Sequence, residues 1–216
     1  MTKVAIVDYG VGNLLSVARA VEKCGAEVQF VQTAEEVGAA ERLILPGVGA
    51  FANGMDGLRE RGLVEPLRDY ARSGRPFLAI CLGMQMLMDV SEEFGTHEGL
   101  GLIPGRVRAI DPTTAEGQPH KIPHIGWNEL RPSNGDETWD KSVLRDVEKG
   151  SYTYFVHSYA VEPADDSYRV ADCYYDGRRI SAVVQSGDNI FGCQFHPEKS
   201  GETGLRVMKR FTEMER

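Results

Sequence analysis

The sequence predicts an α/β fold: an open, mixed, mostly parallel twisted sheet flanked by helices, with a β-rich C-terminal half, as one unit over residues 1–216. Three observations carry this. Short uninterrupted apolar runs at residues 4–7, 43–45 and 77–80 have the length and composition of strands buried on both faces. Helical segments alternate with them, which favours a parallel sheet with right-handed crossovers. From Gly105 onward, alternating strand patterns and tight turn signals replace the helical ones.

Strand one, residues 4–8, leads into Tyr9-Gly10-Val11-Gly12-Asn13. Leu14, Val17, Ala18 and Val21 then share one helical face, which stops at Gly25. Two glycines before a helix suggest a dinucleotide fingerprint, but Leu15 fills the place of the third glycine. The segment reads instead as a tight strand-to-helix turn, with Asn13 as N-cap or lining a site. Residues 27–31 and 42–45 form strands two and three, and the latter runs into Pro46-Gly47-Val48-Gly49-Ala50-Phe51. A helix over 63–72 precedes the strand at 77–80, and a further helical run begins at Met84. In open parallel sheets, ligands sit beyond the C-terminal strand ends. The loops after strands one and three and the turn at Cys81 all lie on that edge.

Residues 91–102 are polar and glycine-rich, a surface loop, and 105–110 open the β-rich half. Residues 111–118 are polar and exposed. Pro123, His124, Trp127 and Asn128 cluster within 121–130, which is either a strand whose Trp127 fills core or a patch for a partner, tryptophan being enriched at binding hot spots. Residues 152–159 form a strand ending in His157, Ser158 and Tyr159. Residues 170–185 form a hairpin turned at Asp176-Gly177, and 190–196 pair next to it. Leu205, Val207, Met208, Phe211 and Met214 mark a closing amphipathic helix over 203–214.

Composition narrows the function classes. Of 216 residues, 42% are hydrophobic and 26% charged, which suits a globular chain with a sizeable core. A formal net charge of −8 argues against a nucleic-acid groove, which needs a basic surface. No apolar stretch is long enough to span a bilayer, and the first apolar run is too short for a signal peptide, so the expected location is the cytoplasm. The four cysteines, Cys24, Cys81, Cys173 and Cys193, match no zinc or disulfide framework, so no metal is expected. Cys24, Cys173 and Cys193 read as small core residues.

Cys81 differs. It stands between a buried strand and a helix, on a sharp turn that Gly83 permits, and the free N–H groups of a helix start favour a thiolate over a thiol. Downstream, Phe191, Cys193 and Phe195 alternate with Gln194 and His196 as on a half-buried strand, which turns His196 away from the apolar face. Pro197 ends that strand, and Glu198 follows where it can turn back and orient the imidazole. Cysteine, histidine and carboxylate in this order form a candidate catalytic triad.

With these residues in view, the chain resembles the class I, triad-type glutamine amidotransferases, whose fold is flavodoxin-like, and among them the glutaminase subunits of imidazole glycerol phosphate synthase. The resemblance rests on Asp8-Tyr9-Gly10-Val11-Gly12-Asn13-Leu14, the Pro46 to Phe51 segment, Cys81-Leu82-Gly83-Met84-Gln85, Pro123-His124-Ile125-Gly126-Trp127-Asn128, Tyr154-Phe155-Val156-His157-Ser158-Tyr159 and His196-Pro197-Glu198. It implies glutamine hydrolysis through a thioester on Cys81, with no cofactor and with ammonia passed to a cyclase subunit, a (β/α)8 barrel. It implies that His196 moves the proton, that Glu198 orients His196, and that backbone N–H groups of Leu82 and of Gly47, Val48 and Gly49 form the oxyanion hole. Gln85, His157, Ser158 and Tyr159 are implied substrate contacts, and Pro123, His124, Trp127 and Asn128 the partner face. Many relatives carry glycine where Val48 stands, and a β-branched residue resists the positive φ that a rotated oxyanion peptide needs. Competing readings are the glutaminase of another synthase, such as those making pyridoxal phosphate or anthranilate, a cysteine hydrolase of peptides or small aldehydes, and a binding subunit with an inert triad.

Overall fold

The computed structural model describes residues 2–134 and 138–214. Its first part follows the predicted alternation: β1 (Lys3–Val7), α1 (Leu14–Lys23), β2 (Glu27–Val31), α2 (Ala34–Ala39), β3 (Leu43–Gly47), α3 (Phe51–Glu60), α4 (Val64–Arg72) and β4 (Phe77–Cys81). There follow α5 (Leu82–Met86), β5 (Met88–Ser91), β6 (His97–Glu98), β7 (Ile103–Ala109), β8 (His124–Glu129), β9 (Arg131–Pro132), β10 (Tyr152–His157) and β11 (Tyr159–Pro163). The chain closes with β12 (Arg169–Tyr175), β13 (Arg178–Ser186), β14 (Ile190–Cys193) and α6 (Gly201–Glu213).

The main sheet has eight strands in the order β2-β1-β3-β4-β14-β13-β12-β9. It is parallel from β2 through β14 and antiparallel beyond. The β-rich half does not simply extend this sheet. Strands β7 and β11 join the earlier β5 and β6 in a second sheet, β11-β7-β5-β6, and β8 and β10 form a ribbon of their own. Separate buried clusters cover the two faces of the main sheet, one including Ile6, Ile80 and Phe191, the other Val7, Ala79 and Leu45. Adjacent residues of one strand serve opposite cores, so a central strand must be apolar throughout, as β4 is.

Helices α2 and α3 lie in segments where the sequence pattern predicts no regular element. A capping box starts α2: Thr33 Oγ1 accepts from Glu36 N, and the Glu36 carboxylate accepts from Thr33 N at 3.0 Å. Two glycines mask the periodicity of α3, and both are needed for close packing. A Cβ on Gly57 would lie 2.9 Å from the Tyr9 carbonyl oxygen, and one on Gly54 would lie 3.0 Å from Leu82. Asn13 holds the N-cap position of α1, but its side chain makes no capping hydrogen bond. The stretch at 91–102 is less of a free loop than expected, since β5 and β6 pair across it and Glu93 is buried.

The 190–196 segment is buried on both faces rather than half-buried, because β14 sits between β4 and β13 in mid-sheet. Its regular ladder ends at Cys193, before the predicted Pro197 stop. The hairpin turn is as predicted, with φ of 46° at Asp176 and 79° at Gly177. Among the described residues, no helix is long and apolar enough to cross a membrane.

At the crest of β4, α5 packs against β3 so closely that a Cβ on Gly83 would overlap the Leu45 carbonyl oxygen. Backbone cannot yield as a flexible side chain does, so Gly83→Ala is expected to lower unfolding stability by about 3 kcal/mol, the upper part of the usual range for overpacking. Urea unfolding of the two chains measures it, and an unchanged midpoint would mean that α5 is free to move off the sheet.

Candidate active site

The sharp turn at Cys81 is real in backbone terms: φ is 55° and ψ is −110°, outside the regions a side-chain-bearing residue prefers. Such a conformation costs on the order of 1–3 kcal/mol and persists where its surroundings enforce it. Here the enforcement is packing. Gly47 is the register partner of Cys81, and a Cβ on Gly47 would come 2.7 Å from the Tyr9 hydroxyl and 2.9 Å from Leu82 Cβ. The Tyr9 hydroxyl in turn donates to the Pro46 carbonyl at 2.8 Å, which ties β1's turn to the strand beneath the site. Since α5 is only five residues long, its contribution to Cys81 is local N–H groups rather than a long helix dipole.

His196 reaches the cysteine because β14 runs parallel to β4, with Cys193 beside Ile80. Beyond the ladder, the His196 backbone N–H donates to the Tyr154 carbonyl at 3.0 Å, and Ser200 Oγ donates to the His196 carbonyl at 2.7 Å. Glu198 lies on the short 3-10 turn Pro197–Lys199, and its Oε1 accepts from His196 Nδ1 at 2.8 Å. A carboxylate can only accept, so Nδ1 carries a proton, and the other ring nitrogen is left for the cavity that His196 and Cys81 line together. Burial alone would pull the imidazole down. Interactions with Cys81 and Glu198 outweigh it and raise His196 to about 9. Glu198 Oε2 is buried without a hydrogen-bond partner among the described residues.

A cavity of about 250 Å³ opens over this cluster. Cys81, Leu82, His196, Val48, Gly49, Gln85, Ser158 and Tyr159 are among the residues that line it. A larger cleft of about 660 Å³ lies elsewhere, along β7 and β11, and its arginines are ion-paired, Arg108 with Glu92 and Glu162 and Arg179 with Asp172. Gly47 does not line the small cavity; it is buried beneath it. Gly49 has a φ of 93°, whereas Val48 is not among the residues with positive φ and is 39% exposed.

The rings of His157 and His124 are both turned inward. His157 borders the cavity, but both its ring nitrogens are engaged inward, Nδ1 with the Tyr159 carbonyl at 2.8 Å and Nε2 with His124 Nδ1 at 3.0 Å. Burial, and then the neighbouring His124, push it down to about 3, so it offers no cation to a ligand. His124, expected on a partner face, is 0% exposed. It stacks on Phe155 and Tyr175, and its Nε2 meets Asn128 Oδ1 at 2.7 Å. Strand parity explains this: His124 and Asn128 share one face of β8, and Ile125 and Trp127 take the other. Trp127 does not fill core. It is 51% exposed, next to Ile125 at 56% and Tyr152 at 56%, with exposed Pro123 just before the strand.

Two residues of the site were not singled out from sequence. Glu93 borders the cavity, its Oε2 accepting from the Phe51 backbone N–H at 2.6 Å; it sat in a stretch that composition marks as loop, and no sequence signal pointed to it. Gln194 lies two residues before His196 and so shares its side of the strand, a signal that was available.

The model of the family described as glutamine amidotransferase class-I matches residues 5–214. Imidazole glycerol phosphate synthase subunit HisH 1 of Legionella pneumophila (strain Lens) is 53% identical over 214 residues, covering 99% of this chain and 100% of the relative. The HisH subunit of Rhodopirellula baltica is 46% identical over 208 residues, 96% of each chain. Among solved structures, PurLQS from Thermotoga maritima superposes with a TM-score of 0.73 at 23% identity over 98% of both chains, a likeness of fold.

The pH dependence of stability reports on the triad's electrostatics. His196 is raised in the fold from 6.5 to about 9, so its protonated form stabilises the folded state fully below pH 6.5, and that contribution is lost as pH rises through about 9. Glu198→Gln removes an accepting charge, so the fall in urea midpoint across this window should shrink. An identical pH profile for the variant would show that the carboxylate does not hold the proton on the ring.

Proposed function

The chain belongs to the class-I glutamine amidotransferase family, and from that premise we propose how its site works and which partner it serves. It hydrolyses L-glutamine to L-glutamate and ammonia, and it passes the ammonia to a cyclase subunit, a (β/α)8 barrel, that makes imidazole glycerol phosphate and an aminoimidazole carboxamide nucleotide in histidine biosynthesis. We read residues 1–216 as one unit acting in the cytoplasm. The observation that carries the chemistry is a buried cysteine that lines one small cavity with an imidazole, which a carboxylate holds at 2.8 Å.

In this reading His196 takes the Cys81 thiol proton, the sulfur attacks the side-chain amide carbon of glutamine, and a C–S bond forms as the carbonyl electrons move to oxygen. Collapse breaks the C–N bond, and His196 protonates the departing nitrogen, because an amide nitrogen leaves poorly as an anion. Water then attacks the thioester, His196 accepts its proton, and glutamate leaves as the sulfur regains its starting form. Glu198 keeps the ring oriented and stabilises its cation. Glu93, the one carboxylate bordering the cavity among the described residues, suits the ammonium end of the substrate. The exposed Ile125, Trp127 and Tyr152, with Pro123, form the apolar patch offered to the cyclase.

The oxyanion side supports a site awaiting its partner. Leu82, Val48 and Gly49 border the cavity, and their backbone N–H groups are the expected oxyanion donors, but Val48 lies outside the left-handed region. An oxyanion donor is worth ~10²–10³ in turnover. Binding of the cyclase and its ligand shifts the population toward the rotated state.

Cys81→Ser is expected to abolish ammonia release from glutamine in the complex with the cyclase, and ammonia release retained at the parent rate would reassign the nucleophile. Glutaminase turnover is expected to rise by roughly 10²-fold or more from the chain alone, through the complex, to the complex with cyclase ligand. Equal rates in all three would show a hole already formed in the free chain.

A further inference from the structure

We infer that Gln194 is a catalytic residue of this site: its side-chain N–H donates to the Cys81 sulfur and stabilises the thiolate, alongside His196. The inference rests on Cys81 being the nucleophile. Gln194 is 0% exposed, and its Nε2 lies 3.8 Å from Cys81 Sγ, within reach of a sulfur acceptor. A buried amide that only filled space would be poorly chosen, since each of its polar atoms must find a partner.

The direction of the amide is set by a chain of obligations that starts at a backbone carbonyl. The Tyr159 carbonyl can only accept. It receives Gln85 Nε2 at 2.9 Å and His157 Nδ1 at 2.8 Å. The Gln85 nitrogen therefore faces inward, and it gives a second N–H to Gln194 Oε1 at 3.2 Å. With its oxygen committed to Gln85, Gln194 has its nitrogen facing the sulfur. The reverse orientation would set two NH₂ groups against each other and an oxygen lone pair against the sulfur. The strand supports this placement, because the Gln194 backbone N–H donates to the Ala182 carbonyl at 2.9 Å and fixes the start of the side chain.

The chemical consequence is selective. A neutral N–H donor bonds an anionic sulfur more strongly than a thiol, and away from water the difference is not diluted. Gln194 acts on the sulfur without competing with His196 for the proton, since an amide does not titrate. It therefore raises the fraction of reactive sulfur while leaving the proton on the group that must later deliver it to ammonia.

The test follows alkylation of Cys81 by iodoacetamide, read by mass spectrometry of the Cys81 peptide in the full chain across a pH series. Gln194→Met keeps similar volume without the donor, and Gln194→Asn keeps an amide too short to span from Gln85 to the sulfur. Both are expected to slow alkylation at pH 7 by roughly fivefold to tenfold and to displace the rate–pH curve toward alkaline values. A merely structural role would lower the unfolding temperature and leave that curve in place, and this outcome overturns the inference. Should both variants fail to fold, the parent chain decides: the Gln194 side-chain amide proton, observed by NMR, is expected to shift when Cys81 is alkylated, and an unmoved resonance overturns the proposal. If Cys81 in the parent chain reacts no faster than Cys24, the nucleophile assignment itself fails, a result distinct from a Gln194 effect that is simply absent.

Discussion

The positive φ at Cys81 is the constraint from which the rest of the site follows. A cysteine does not take φ of 55° by preference. It does so here because β3 and α5 meet through glycines, Gly47 and Gly83, at contacts where a methyl group has no room. Those contacts require a fully apolar β4 and a sheet covered on both faces, which in turn require helices on each side. The fold is thus an apparatus for holding one strained residue. The strain places the sulfur at the strand edge, beside the residues that β14 delivers.

Around that sulfur, electrostatics is divided among groups with separate tasks. His196 is held high by Cys81 and Glu198 against the pull of burial, whereas His157, close by, is driven low by burial. One imidazole is kept able to carry a proton, and the other is kept neutral to fasten the Tyr159 carbonyl. Two histidines of the same composition take opposite states because one faces a carboxylate and a sulfur and the other faces a second imidazole. Cys193 is also buried, next to Glu198, and desolvation and that carboxylate raise its thiol, so it stays inert.

Much of this was legible in the sequence, for identifiable reasons. Strands β1, β3 and β4 announced themselves because strands buried on both faces must be continuously apolar. The Asp176-Gly177 turn was readable because few residues accept its backbone. Helix α3 was hidden by Gly54 and Gly57, which local propensity disfavours and tertiary packing demands. Glu93 was hidden because a carboxylate in a polar loop looks solvated until the fold places Phe51 N–H against it. The inward turn of His124 depended on strand parity in β8, and one residue of register separates a core position from a surface one. The division of the β-rich half into three sheets was not legible at all, because β-pairing between distant segments leaves little local trace.

The neighbouring positions of β4 and β14 in the sheet also govern when reactivity can arise. The strand that ends in Cys81 belongs to the first half of the chain, but the strand that leads to His196 is the last in chain order among the described residues. During synthesis the polypeptide emerges from its N-terminus, so Cys81 leaves the ribosome well before any imidazole can reach it. A nascent or truncated chain carries a sulfur without a base. A chain made no further than β13 holds Cys81 without His196, so the pairing that the sheet creates waits for β14.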